Sequence, residues 1–178
     1  MNIEREVRLL EINKEKLEHR LIEIGAYKEG EYFQKRYTYD FKPKKENKWI
    51  RLRSNGKKNT LTIKEVISNT IDGTTELEIE VDDFDKTDKM LEELGYYHRN
   101  YQENKRIFYK YDDIEISIDS WPLIPDYVEI EGKNNEDIYK FVEKLNLKDK
   151  EITTLDVEKI YREKYKINIL DIENLKFD

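Results

Sequence analysis

The sequence predicts an α+β protein: eight antiparallel strands closed into a barrel, a tunnel with a polar, charged interior and helices packed on its outside. Three observations predict it. Apolar and charged residues alternate along most segments, as at Glu4, Glu6 and Arg8, with Ile3, Val7 and Leu9 between them. A period of two puts each set on its own sheet face. Charges that share the polar face are sorted by sign. Glu76, Glu78 and Glu80, then Glu115 with Asp119, then Glu129 with Glu131, form acidic strands; Arg36, Arg51 with Arg53, Lys64, and Arg106 mark basic ones. Finally, the second half repeats the first.

The elements follow in order. Strand one runs from about Ile3 to Glu11. Asn13 is a suitable N-cap for a helix with Leu17, Leu21 and Ile24 as its apolar stripe, and Gly25 ends it. Three strands follow, Phe33–Phe41, Lys48–Arg53 and Thr60–Val66, with the Ser54-Asn55-Gly56 turn joining the last two. Strand five is Thr75–Asp82. A second helix spans about Thr87–Leu94, with Gly95 as its stop. Strands six to eight are Tyr101–Tyr111, Asp113–Ser120 and Tyr127–Glu131. Ile138, Phe141, Val142 and Leu145 share one face of a third helix; Thr153 or Thr154 caps a fourth carrying Val157, Ile160 and Tyr161. These elements make one domain over 1–167. Asn168–Asp178 reads as an irregular C-terminal tail.

A shift of 70 positions carries Leu21, Glu23, Gly25 and Tyr27 onto Leu91, Glu93, Gly95 and Tyr97, and Lys35, Arg36 and Tyr39 onto Lys105, Arg106 and Tyr109. Two copies of strand–helix–three strands imply a pseudo-twofold arrangement. Eight antiparallel strands close into a barrel wide enough for one small ligand.

Placing so many charges inside is costly unless they are paired or hold ions. Clustered carboxylates, no Cys and two His suit a hard cation such as Mg²⁺ or Mn²⁺. Arginine forks and lysines suit phosphate oxygens. Together they point to phosphoryl or nucleotidyl transfer.

Composition narrows the classes. Charged residues are 41% of the 178, yet 13 Tyr, 6 Phe and 2 Trp argue for a packed fold. A net charge of −7 disfavours a nucleic-acid partner. The absence of Cys excludes disulfides and thiolate sites. No signal-like or long apolar run is present, so no membrane is expected and the cytoplasm is the expected location. His19 and His98 are not expected to form a site. Trp121-Pro122 reads as a rigid turn, and the lysines of 42–48 as a solvated loop that attracts anions. Tyr32, Phe33, Tyr109 and Tyr111, if left on the outside, allow a homodimer.

These residues resemble a known family. Glu4-x-Glu6-x-Arg8 is similar to the ExExK signature of the CYTH superfamily, the triphosphate tunnel metalloenzymes. Gln34–Asp40 resembles its second strand, Trp49–Arg53 its LRxR strand, and Leu61–Lys64 its LTxK strand. Asp119-Ser120-Trp121-Pro122 followed by Tyr127–Glu131 resembles its late D…EIE segment. The resemblance covers nearly the whole chain. Arg8 replaces the usual lysine, no arginine precedes the acids of strand five, and Asn104 stands where strand six often has a base.

The resemblance implies an eight-stranded tunnel that binds a triphosphate and divalent metal. It makes Glu4, Glu6, Asp119, Glu129 and Glu131 metal ligands, and Arg8, Arg51, Arg53, Lys64 and Arg106 the phosphate clamp; Arg36, on the same charged face, is a further candidate for binding the substrate. Glu4, Glu6, Glu78 and Glu80 are the candidate catalytic acids. The expected activity is a metal-dependent triphosphatase acting on tripolyphosphate or a nucleoside or thiamine triphosphate. The alternatives are a class IV adenylyl cyclase and a non-catalytic polyphosphate- or nucleotide-binding module.

Overall fold

The computed structural model describes residues 1–147 and 150–178. The strands are β1 (Asn2–Glu4), β2 (Glu6–Leu9), β3 (Tyr27–Asp40), β4 (Lys48–Ser54), β5 (Asn59–Val66), β6 (Thr74–Val81), β7 (His98–Tyr111), β8 (Ile114–Ser120), β9 (Tyr127–Glu131), β10 (Ile152–Thr153) and β11 (Asn174–Leu175). The helices are α1 (Lys14–Glu23), α2 (Phe84–Glu93), α3 (Asn135–Leu145) and α4 (Val157–Lys159).

One curled sheet, antiparallel but for a short edge pair, organises the molecule. Its order is β1-β6-β5-β4-β3-β7-β8-β9-β2-β10, and β11 lies parallel to β7. The predicted first strand is split at Arg5. β1 pairs with β6, setting Glu4 beside Thr74; β2 pairs with β9, setting Glu6 beside Glu131. The break is stitched by Glu6 N–H donating to Ile71 O at 3.0 Å and Gly132 N–H donating to Arg5 O at 3.1 Å. The count therefore exceeds the eight predicted strands, because one is halved and two short strands are added near the C-terminus.

β3 and β7 are 14 residues each, longer than the alternation suggested, and they pair along nearly their whole length. Gln34 sits directly opposite Asn104. These positions are related by the 70-residue repeat, so the pseudo-twofold axis crosses the sheet between them. Asn13 caps α1 by accepting from Lys16 N–H, as the sequence predicted. α2 starts earlier than expected because Asp83 caps it by accepting from Lys86 N–H. Gly25 and Gly95 both take positive φ, 87° and 85°, and turn each helix directly into its long strand.

The helices cover the outer face unevenly. α1 and α3 bury Val7, Ile107, Ile116 and Ile130 in one cluster, and α2 covers Tyr39, Ile50 and Leu52 in another. Leu77 and Ile79 of β6 stay half exposed. The predicted fourth helix is a single α-turn capped by Asp156, continuing as a π-turn through Ile160–Lys164. The segment read as an irregular tail holds a 3-10 turn and β11, and buries Ile169 and Leu175 against Leu10, Trp121 and Tyr161. Of the aromatics proposed for an exposed dimer face, Tyr109 lies buried beneath α1, its hydroxyl donating to Glu18 at 2.9 Å. Tyr111 packs on Phe141, while Phe33 remains half exposed. No helix among the described residues is long and apolar enough to cross a membrane.

Candidate functional site

Alternation aims the polar side chains of β2 to β9 at the concave side of the sheet, where they line a cavity of about 780 Å³. Glu4, Glu6, Arg8, Arg36, Arg51, Arg53, Lys64, Glu78, Arg106, Glu129 and Glu131 all line it. β2 is buried on both faces, so Glu6 and Arg8 are enclosed almost as completely as Val7 and Leu9.

Most of these charges are paired. Arg8 bridges Glu6 at 2.7 Å and Glu129 at 2.6 Å, and donates to Leu155 O at 3.0 Å. Lys64 meets Glu4 at 2.7 Å and Glu76 at 3.5 Å. Arg51 approaches Glu78 at 3.3 Å and Glu76 at 3.6 Å; Thr62 donates to Glu78 at 2.7 Å. Such pairing offsets the desolvation of buried ions.

Two places remain out of balance. Glu131 has no cationic partner among the described residues. Burial, followed by Glu129, Glu6, Glu4 and Glu115, pushes its carboxyl up to about 8. On the basic side, burial and the guanidiniums of Arg51 and Arg106 depress Arg53 to about 9. Burial likewise holds Arg36 well below the ordinary arginine value, reinforced by Arg51, Arg53 and Arg106. Burial pushes Glu129 up, but Arg8, Arg106 and Lys64 outweigh it and hold it below the usual carboxylate range. The cavity is thus acid-rich beside β1, β2 and β9 and base-rich beside β3 and β4.

Two predicted residues stand apart. Asp119 is fully buried and does not line the cavity. Its Oδ1 accepts from Asn104 at 2.8 Å and Arg106 Nε at 2.9 Å, and its Oδ2 from Arg106 at 2.6 Å. Both oxygens are engaged in fixing Arg106. Glu80 points to solvent with a side chain 67% exposed, paired with Lys58 at 2.5 Å. Other residues were not among the predicted site. Glu76 shares the alternation of Glu78 and was legible in that way. The amides of Gln34 and Gln102 line the cavity without a charge signal, and so do Asp156, Lys159 and Arg162 from the C-terminal segment, which forms part of one end.

His98, expected to stand alone, lies near Asp88 and Glu92, with ligand-type atoms of all three within 4.8 Å. This cluster is outside the cavity. Asp88 accepts from Tyr39 OH at 2.8 Å and faces His98 Nδ1 at 3.4 Å; Glu92 pairs with Lys89 at 3.1 Å.

The CYTH domain profile matches residues 2–162. The chain belongs to the CYTH family. No curated protein matches the sequence. Among solved structures, a conserved protein of Pyrococcus furiosus superposes with TM-score 0.75 at 23% identity, covering 86% of this chain and 97% of that one. An adenylate cyclase candidate of Vibrio parahaemolyticus gives 0.71 at 14% identity, covering 84% and 93%. An adenylyl cyclase candidate of Hippeastrum with a dominant triphosphatase activity gives 0.61 at 14%, covering 93% and 96%. At these identities the likeness establishes the CYTH fold alone.

Proposed function

We propose that this CYTH protein is a divalent-metal-dependent triphosphatase, with the split first strand closing the sheet into an eight-stranded tunnel around a triphosphate. One observation carries the reading. One cavity holds a carboxylate with no cationic partner among the described residues, Glu131, and guanidiniums in excess of their acids, at Arg36 and Arg53. A polyanion with a divalent cation satisfies both imbalances at once.

The donor set fits such a cation. Glu4, Glu6, Glu129 and Glu131 offer only hard oxygen atoms, which suits Mg²⁺ or Mn²⁺. When bound, the metal supplies charge neutralisation at the reacting phosphoryl group. Arg36, Arg51 and Arg53 hold non-reacting phosphoryl oxygens, and Arg106, braced by Asp119, adds a fixed fork. In hydrolysis a water gives its proton to a carboxylate of the cluster, a new P–O bond forms at the terminal phosphorus, and the anhydride P–O bond breaks. The basic wall takes up charge on the departing pyrophosphate. Glu78, facing Arg51 and Arg53, orients that wall.

The cyclase reading has support from Trp49, Tyr32 and Phe108, whose rings line the cavity and offer a surface for a nucleobase. Parallel turnover of tripolyphosphate and ATP with Mg²⁺ or Mn²⁺ separates the readings. Orthophosphate with no cyclic AMP supports the triphosphatase; cyclic AMP plus pyrophosphate from ATP replaces it with the cyclase. Glu4→Ala is expected to abolish turnover while the fold survives. Binding without metal-dependent turnover in wild type identifies a non-catalytic module.

A further inference from the structure

The 70-residue repeat places Arg36 of β3 and Arg106 of β7 at equivalent positions, but their surroundings have diverged. Opposite Arg106 stands Asp119, which grips the guanidinium through both oxygens. Opposite Arg36 stands Arg53. Arg36 is 6% exposed, and its hydrogen bonds go to neutral amide oxygens. It donates to Gln34 Oε1 at 3.1 Å and to Asn104 Oδ1. The Trp121 ring lies 4.6 Å from the guanidinium carbon. The Arg36 Nε is sealed from solvent without an acceptor. The nearby Asp119 acts on Arg36 through its charge, but its hydrogen bonds go to Arg106 and Asn104.

A buried cation ordinarily takes a carboxylate, which stabilises it and cancels its charge. Amide oxygens and an aromatic face stabilise a guanidinium without cancelling it. Gln34 is the decisive position, because glutamate is nearly the same shape and would complete an ion pair. We propose that Gln34 and Trp121 are positioning residues that keep Arg36 unneutralised, making it the anchor on which the anionic ligand docks before any divalent cation arrives. This rests on the triphosphate reading and adds an order to it: phosphate first on β3, metal afterwards at the acidic side. Burial and three neighbouring guanidiniums hold the Arg36 pKa low. Since a guanidinium does not lose its proton in proteins, that strain is relieved by a bound anion.

Calorimetric titration with inorganic tripolyphosphate in EDTA tests the proposal. Wild-type protein is expected to bind. Gln34→Glu is expected to bind at least about tenfold more weakly, since a charge-assisted bond must first be broken, with its melting temperature unchanged or raised. Gln34→Leu is the inverse control: it removes the acceptor without adding a charge, so it is expected to lower the melting temperature and to weaken binding less than Gln34→Glu does. That opposition separates control of charge from simple packing. Trp121→Phe, which keeps a ring over Arg36, is expected to retain affinity that Trp121→Leu loses; this pair decides the matter should Gln34→Glu not fold. Equal affinity for wild type and Gln34→Glu overturns the proposal and leaves the triphosphate reading standing. Binding by wild type only with Mg²⁺ present overturns the metal-independent anchor alone. No binding under either condition overturns both.

Discussion

Glu131→Gln isolates the cost of the unpartnered carboxylate. In the metal-free protein the Glu131 carboxyl is raised from 4.5 to about 8, by burial first and then by Glu129, Glu6, Glu4 and Glu115. The folded state therefore holds a proton that the unfolded state has released across that window. Below about pH 4.5 both states are protonated and Glu131 costs nothing; as pH rises toward 8 stability is progressively lost, and above 8 the whole penalty applies. The displacement corresponds to a ceiling of about 5 kcal/mol. Glu131 is partly solvated, so about 2 kcal/mol is a fairer expectation. Glutamine cannot ionise. The variant is thus expected to melt about 4–8 °C above wild type at pH 8.5 in EDTA, with the gap closing at pH 4.5. Scanning calorimetry across pH reads this directly. Added Mg²⁺ is expected to raise wild type more than the variant. A pH-independent gap, or no gap at pH 8.5, would refute the view that Glu131 is buried among like charges without a partner.

Three further outcomes follow from particular contacts. Asp119→Ala removes two of the three acceptors of the buried Arg106, leaving Glu129 at 3.3 Å, and is expected to cost about 3–5 kcal/mol by urea denaturation; a change below 1 kcal/mol by the same method, about the worth of an exposed pair, counts against the clamp. Deleting 168–178 uncovers the site of Ile169 and Leu175, each almost fully buried, and is expected to cost about 3–6 kcal/mol. An unchanged melting temperature would show that the segment is dispensable. Lys44 and Lys45 line the cavity; replacing both with alanine is expected to lower kcat/KM and flatten its salt dependence, while an unaltered salt profile removes their role in drawing in anions.

The β-elements were legible because each cavity strand carries its own charge alternation, and a one-residue slip would turn every charge onto the apolar side. That rule placed Glu4, Glu6, Arg8, Arg51, Arg53 and Lys64 on a common cavity. It failed at Glu80, because alternation gives the face of a residue but not its depth along the strand. Glu80 lies where the strand emerges to solvent, beside Lys58. It also missed what Asp119 does, since a carboxylate that binds metal and one that braces an arginine occupy the same face. The break at Arg5 was invisible because both halves keep the same alternation. The C-terminal segment reaches the cavity through a short α-turn, a π-turn and a 3-10 turn, elements too brief to leave a periodic signal.

The repeat explains why the cavity has a direction. Two similar halves meet at Gln34 and Asn104, and a strictly twofold tunnel would present identical ends to its ligand. Divergence at a few cross-strand positions breaks that equivalence. Arg53 faces Arg36 in the first half, where Asp119 faces Arg106 in the second. Glu131 faces Glu6 across β9 and β2, while across the corresponding pair, β5 and β6, Lys64 faces Glu76. Like charges set directly opposite one another are destabilising in any sheet. Their retention at both Arg36–Arg53 and Glu6–Glu131 places the two strains on different strands of one cavity, where a ligand carrying both signs relieves them together. A symmetric anion alone would relieve only the basic side. Under the proposed triphosphatase reading, the direction of the bound triphosphate and the side of its cation follow from which half of the repeat carries its acid.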